Sequence, residues 1–167
     1  MKIKKANRCD LHSVAEFLHN CWQSEYRQII SDDYLDAMSI DERYKGLLNR
    51  YDDKVWEFSM LIDGDKLIGA TVYGKSFIDG YKEDGEISAI YLHSDYIGRG
   101  YGHFFFTKIE EELTEKGYTH FILDVLADNI RAIKFYLSHG YKIIENRHVQ
   151  LGDKEYPLTV MRKEANL

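Results

Sequence analysis

The chain has 167 residues, 44% hydrophobic and 30% charged, with a formal net charge of −6, a composition that suits one globular domain (1–167) with a real core. The acidic balance argues against a nucleic-acid-binding surface, and no apolar run is long enough to span a membrane. MKIKKANRCD has no apolar segment behind its charges, so no signal peptide is expected, and two isolated cysteines, Cys9 and Cys21, suit a reducing, cytoplasmic setting.

In chain order, residues 2–6 form a candidate edge strand. Asp10 is a candidate N-cap for a helix whose Leu11, Val14, Ala15, Leu18 and Trp22 make an apolar stripe. Ser31 and Ser39 are further cap candidates, the second with Glu42 as a capping box, so residues 10–50 are expected to be helical with no strand between. Residues 55–62 and 66–73 read as a hairpin around Asp63-Gly64-Asp65, with Gly69 marking a bulge. A polar loop from Lys75 to Gly85 leads into the strand EISAIYLH, whose alternation places Glu86, Ser88, Ile90 and Leu92 on one face and Ile87, Ala89 and Tyr91 on the other. The segment HFFFTKIEEELTEK follows as a helix, with Phe105, Phe106, Ile109 and Leu113 on one side and Gly117 as its stop. THFILDVLA is the next strand, joined by a right-handed parallel crossover. Asn129 or Asp128 caps the last helix, with Ile130, Ile133 and Leu137 as its buried stripe, and residues 141–151 and 154–162 close the chain as an antiparallel pair around Gly152-Asp153.

Between the central strand and its helix lies Gly98-Arg99-Gly100-Tyr101-Gly102. Glycines admit unusual backbone conformations and close approach, and the first amides of a helix are unpaired at its positive dipole end. Together they suit a phosphate or pyrophosphate. A P-loop would need Lys-Ser or Lys-Thr where His103-Phe104 stands, and a dinucleotide fingerprint would need a third glycine at His103.

The order of strand, (Gln/Arg)-x-x-Gly-x-Gly and helix resembles motif A of the GNAT superfamily of acetyl-CoA-dependent N-acetyltransferases. Downstream, Asn129, Ala132, Phe135-Tyr136 and Gly140-Tyr141 look like the family's motif B. The resemblance covers about residues 86–141 and departs at the Gln/Arg position, which is Ile97. It implies an α/β (α+β) fold: a mixed six- to seven-stranded sheet with helices on both faces, whose central parallel strands splay apart. The pantetheine arm of acetyl-CoA would lie in that gap along Ile90, Tyr91 and Leu92, and the pyrophosphate on amides of Gly98, Arg99, Gly100, Tyr101, Gly102 and His103, with the Arg99 side chain adding charge. Asn129 would bond the amide arm. The segment holding Trp22, Tyr26 and Tyr34 would wall the acceptor site.

For chemistry, the resemblance implies direct attack of an amine on the thioester. An amine of pKa about 8 to 10.4 must first lose a proton. Glu86 is the first candidate base, fourteen residues before Gly100, the offset at which some members carry theirs; Asp124 is the second, and the residues alone do not decide between them. Tyr136 is the implied acid beside the departing sulfur. His93, His103, His120, His139 and His148 share no ligand spacing, so no metal is expected, although His148 is a candidate lining residue of the acceptor site. The acceptor is a primary amine (a small cationic amine, an amino acid or a protein N-terminus), with the acidic composition leaning to the first, and a homodimer stays open. A non-catalytic acyl-CoA-binding module and a phosphate-binding regulator are the rival readings; Glu86 with Tyr136 disfavours the first, and the missing Lys-Ser/Thr the second.

Overall fold

The computed structural model describes residues 1–166. Strand β1 (Lys2–Lys5) leads through a short 3-10 turn into helices α1 (Leu11–Glu25), α2 (Asp32–Ala37) and α3 (Ile40–Asp52). The helices form where expected, but Asp10 does not cap α1. Asn7 is the cap of the preceding turn, and the Asp10 carboxylate accepts the Asn7 backbone N–H at 2.9 Å. Ser31 and Ser39 do cap, accepting from the Tyr34 and Glu42 amides.

Strands β2 (Trp56–Asp63) and β3 (Lys66–Lys75) make the expected hairpin, its two-residue turn opened by Gly64 at φ +59°, as a turn with glycine at its first central position requires. A bulge sits at Ile68, just before Gly69. A Cβ on Gly69 would lie 3.3 Å from the Phe105 ring and 3.1 Å from Leu61 Cβ, so this glycine lets the following helix approach the sheet.

Strand β4 (Gly85–Leu92), helix α4 (Tyr101–Glu115), strand β5 (His120–Leu126), helix α5 (Ile130–Ser138) and strands β6 (Lys142–Leu151) and β7 (Lys154–Glu164) complete the chain. The sheet runs β1-β2-β3-β4-β5-β7-β6, with β4 and β5 the parallel pair and every other neighbour antiparallel. One face is covered by α4 and α5, the other by α1 to α3. Under α4, Phe105, Phe106, Ile109 and Leu113 are buried against Leu61, Ile87, Leu123 and Met161, each contributing roughly 1.5–3 kcal/mol. On the opposite face Leu11, Val14, Ala15 and Leu18 of α1 pack with Leu47 on Phe58, Met60, Ala70 and Val72.

Two expectations fail here. In β4 a bulge at Ser88 resets the alternation, because a bulged residue adds one to the count on its strand. Ile87, Ile90 and Leu92 therefore share the α4 face, while Ala89 and Tyr91 face α1. In α5, Ile130 and Leu137 are exposed; the side that packs is Ala132, Ile133, Phe135 and Tyr136. The short helix offers only one turn-and-a-half of contact, and the aromatic pair takes it.

Candidate active site

β4 and β5 pair only at Gly85–Phe121 and Glu86–Ile122. Beyond Glu86 they part, so the edge of β4 from Ile87 to Leu92 that faces β5 has no strand partner among the described residues. The gap opens into a cleft of about 490 Å³ that passes between the two faces of the sheet, touching Trp22 and Tyr26 of α1 on one side and Gly102, His103 and Phe105 of α4 on the other. Val149, Leu151 and Leu158 of the last two strands close its far wall. Glu25 at the end of α1 pairs with Arg131 at the start of α5, linking the helices of the two faces at the rim.

The glycine loop sits at one end. Gly98 and Gly100 have φ +77° and +85°, and nothing lies within 4 Å of a Cβ at either; a left-handed backbone, rather than crowding inside the protein, is what calls for glycine. The first internal helix bond is from Phe104 N to Gly100 O. The amides of Tyr101, Gly102 and His103 thus have no partner within the helix and stand at its positive end. His103 Nδ1 lies 2.7 Å from His139 Nε2, and burial together with neighbouring His103 and Lys163 pulls the His139 pKa down to about 4. Asn129 Oδ1 caps α5 by accepting from Ala132 N at 3.2 Å, and its NH2 is turned toward the Tyr26 hydroxyl.

The titratable groups gather at the point where the strands part. Glu86 is buried on the face covered by α1 to α3, and Phe77 N donates to its Oε2 at 2.8 Å. Burial raises its carboxyl above the usual range, helped by nearby Asp124 and opposed by the Phe77 amide. Asp124 projects from β5 on the same face, into the cleft, where it meets water yet is surrounded by protein. Its carboxyl is raised too, by burial, with Arg147 opposing. Tyr136 comes from the other face, and its hydroxyl is close enough to Tyr26 and Asp124 to feel both. Burial is the main cause that keeps it protonated far above its ordinary value. The Tyr26 and Tyr91 hydroxyls bond each other at 2.8 Å.

A comparison of the sequence with known families matches the acetyltransferase (GNAT) family over residues 11–141. The chain belongs to the GNAT family. A curated relative is the uncharacterized N-acetyltransferase YuaI of Bacillus subtilis (strain 168), 26% identical over 142 residues, which cover 83% of this chain and 78% of that one. Among solved structures, the paia N-acetyltransferase of Thermoplasma acidophilum in complex with coenzyme A superposes with a TM-score of 0.78 at 22% identity, covering 98% of both chains. The ribosomal-protein-alanine N-acetyltransferase of Brucella melitensis gives 0.75 at 20%, covering 98% of this chain and 99% of that one. Both share the fold.

Within this GNAT fold the cleft brings together Ile90, Tyr91, Leu92, Gly98, Gly100, Gly102, His103, Asn129, Tyr136, Asp124, Trp22 and Tyr26. Glu86 lies just beyond its lining, beneath Phe77. Tyr101 packs on Tyr96, and the Arg99 guanidinium lies 6.0 Å from the same ring, outside the cleft. Tyr34 lines a second cavity rather than this one. His148 is exposed on β6; its neighbour Val149 lines the wall instead. The Glu25–Arg131 pair was invisible in sequence, because it joins elements 106 residues apart. Arg43, which lines the second cavity, was not singled out because it sits in a helix that reads as charged surface.

Proposed function

We propose that this protein transfers the acetyl group of acetyl-CoA to a primary amine, on a small molecule or a peptide N-terminus, in a cytoplasmic setting. One observation carries the reading: a single cleft joins unpaired helix-end amides to the raised carboxyl of Asp124 and a protonated tyrosine, with the raised carboxyl of Glu86 just beyond its lining. The residues fit the cofactor. Unpaired amides of Tyr101, Gly102 and His103 suit its pyrophosphate, the unpaired edge of β4 from Ile87 to Leu92 suits its amide-bearing arm, and the Asn129 NH2 adds a donor. Acetyl-CoA supplies a thioester carbonyl as the electrophile.

The chain's residues then manage protons. Glu86 or Asp124, with a carboxyl raised toward that of an amine, takes a proton from the acceptor nitrogen, directly or through water. As the new C–N bond forms and the C–S bond breaks, the Tyr136 hydroxyl gives its proton to the departing sulfur. A tyrosine held protonated by burial is in the right state for that step. The test is calorimetry with acetyl-CoA, ATP and NAD, followed by an amine panel read by thiol release. Acetyl-CoA binding alone among the three, followed by amine-dependent thiol release, is expected. Binding without transfer to any amine would leave a carrier module instead.

A further inference from the structure

Beside the acceptor end of the cleft lies a guanidinium that has no ion pair among the described residues. Arg43, in the first turn of α3, is more than half covered, and among the described residues it makes no ion pair and its Nε is buried without a hydrogen bond. Burying a donor nitrogen without a partner costs about 1–3 kcal/mol, and each such buried group calls for an explanation. The guanidinium lies 5.2 Å from the ring of Trp22, a lining residue of the cleft. Tyr91, Tyr34 and Tyr26 are close enough to act on its charge. The other side of Arg43 faces the second cavity, of about 280 Å³, with Tyr34, Met38, Ser39 and Glu42. Glu42 is exposed there and forms no ion pair with it among the described residues. His19 Nδ1 nearby is likewise buried and unbonded, and cannot neutralise a cation. Glu25, the acid of this end of the cleft, is already engaged by Arg131.

Resting on the acetyltransferase reading, we infer that the acceptor is an amine bearing a carboxylate, amino-acid-like in chemistry, whose carboxylate is held by Arg43 beside Trp22 while its amine points toward Asp124 and Glu86. The planar fork of arginine matches a carboxylate two-to-two. Occupation by that anion satisfies a guanidinium that has no ion pair among the described residues.

The test uses aspartate, glutamate, glycine and β-alanine beside their carboxamides, with spermidine as the cationic control, each with acetyl-CoA and thiol release. The acids are expected to exceed the amides by about tenfold or more in kcat/KM, chiefly through KM. In Arg43→Met that ratio collapses toward one, and Arg43→Lys retains part of it. An acid-to-amide ratio near one in the wild type, a ratio that survives Arg43→Met, or spermidine as the best acceptor would each overturn the inference while leaving acetyl transfer intact. Calorimetry of the same acids on the wild-type protein and on Arg43→Met separates the two claims. Acid binding lost in the variant supports the Arg43 site even where acetyl-CoA fails to bind, and no acid binding to the wild type sinks it.

Discussion

Tyr136 and the two carboxylates reach the same point from opposite faces of the sheet, and their roles separate by titration. A base must be ionised to act, so turnover falls as pH drops through the raised carboxyl value. Of Glu86→Gln and Asp124→Asn, the variant that lowers kcat and erases this acid limb marks the base; if both keep the limb, neither carboxylate serves. Folding carries the opposite sign. A carboxyl raised by burial binds its proton more tightly in the folded state, so its contribution is present at low pH and lost as pH rises through the folded value. Glu86→Gln is therefore expected to melt no lower than wild type at pH 8, which thermal denaturation checks. Tyr136→Phe keeps the ring packed against Phe106 and Tyr141 and removes only the hydroxyl. Its kcat is expected to fall about a hundredfold while acetyl-CoA affinity by calorimetry stays at the wild-type value; an unchanged kcat takes Tyr136 out of the chemistry.

Among the elements, the loop into α4 is the one whose sequence and geometry agree most closely. Gly100 is the N-cap, at φ +85°. A β-branched residue there costs about 1–3 kcal/mol of backbone strain and turns the first amides away from a common centre. Gly100→Val is expected to lose acetyl-CoA binding by calorimetry, and binding at wild-type strength would place the pyrophosphate elsewhere. The stripe of α4 was legible because a fifteen-residue helix repeats its spacing four times over. α5 has nine residues, too few for periodicity to choose between two apolar sides, and the exposed Ile130 and Leu137 won the count but not the packing. The bulge at Ser88 leaves no mark in EISAIYLH, since every residue there is equally at home in either register.

At the scale of the whole molecule, the net charge of −6 leans toward a cationic acceptor, whereas the acceptor inferred from Arg43 carries a carboxylate. Most of the acids are on the surface or already paired, whereas Arg43, beside Trp22, forms no ion pair among the described residues. Composition averages over the surface; a ligand meets only the few groups that face it. The succession of strands along the chain, the parallel crossover and the antiparallel closing pair were all readable from turn residues and alternation. The insertion of β7 between β5 and β6 was not, because it depends on which edges remain free once the sheet assembles.

The gap between β4 and β5 has a consequence for kinetics. Since its lining comes from both faces of the sheet, the glycine loop and the aromatic wall stand at different ends of it, and neither ligand need leave before the other arrives. Initial rates measured against both substrates should then give intersecting lines in double-reciprocal form. Parallel lines would mean that the acetyl group rests on the protein between two half-reactions, and would send the search to a nucleophile on the chain itself.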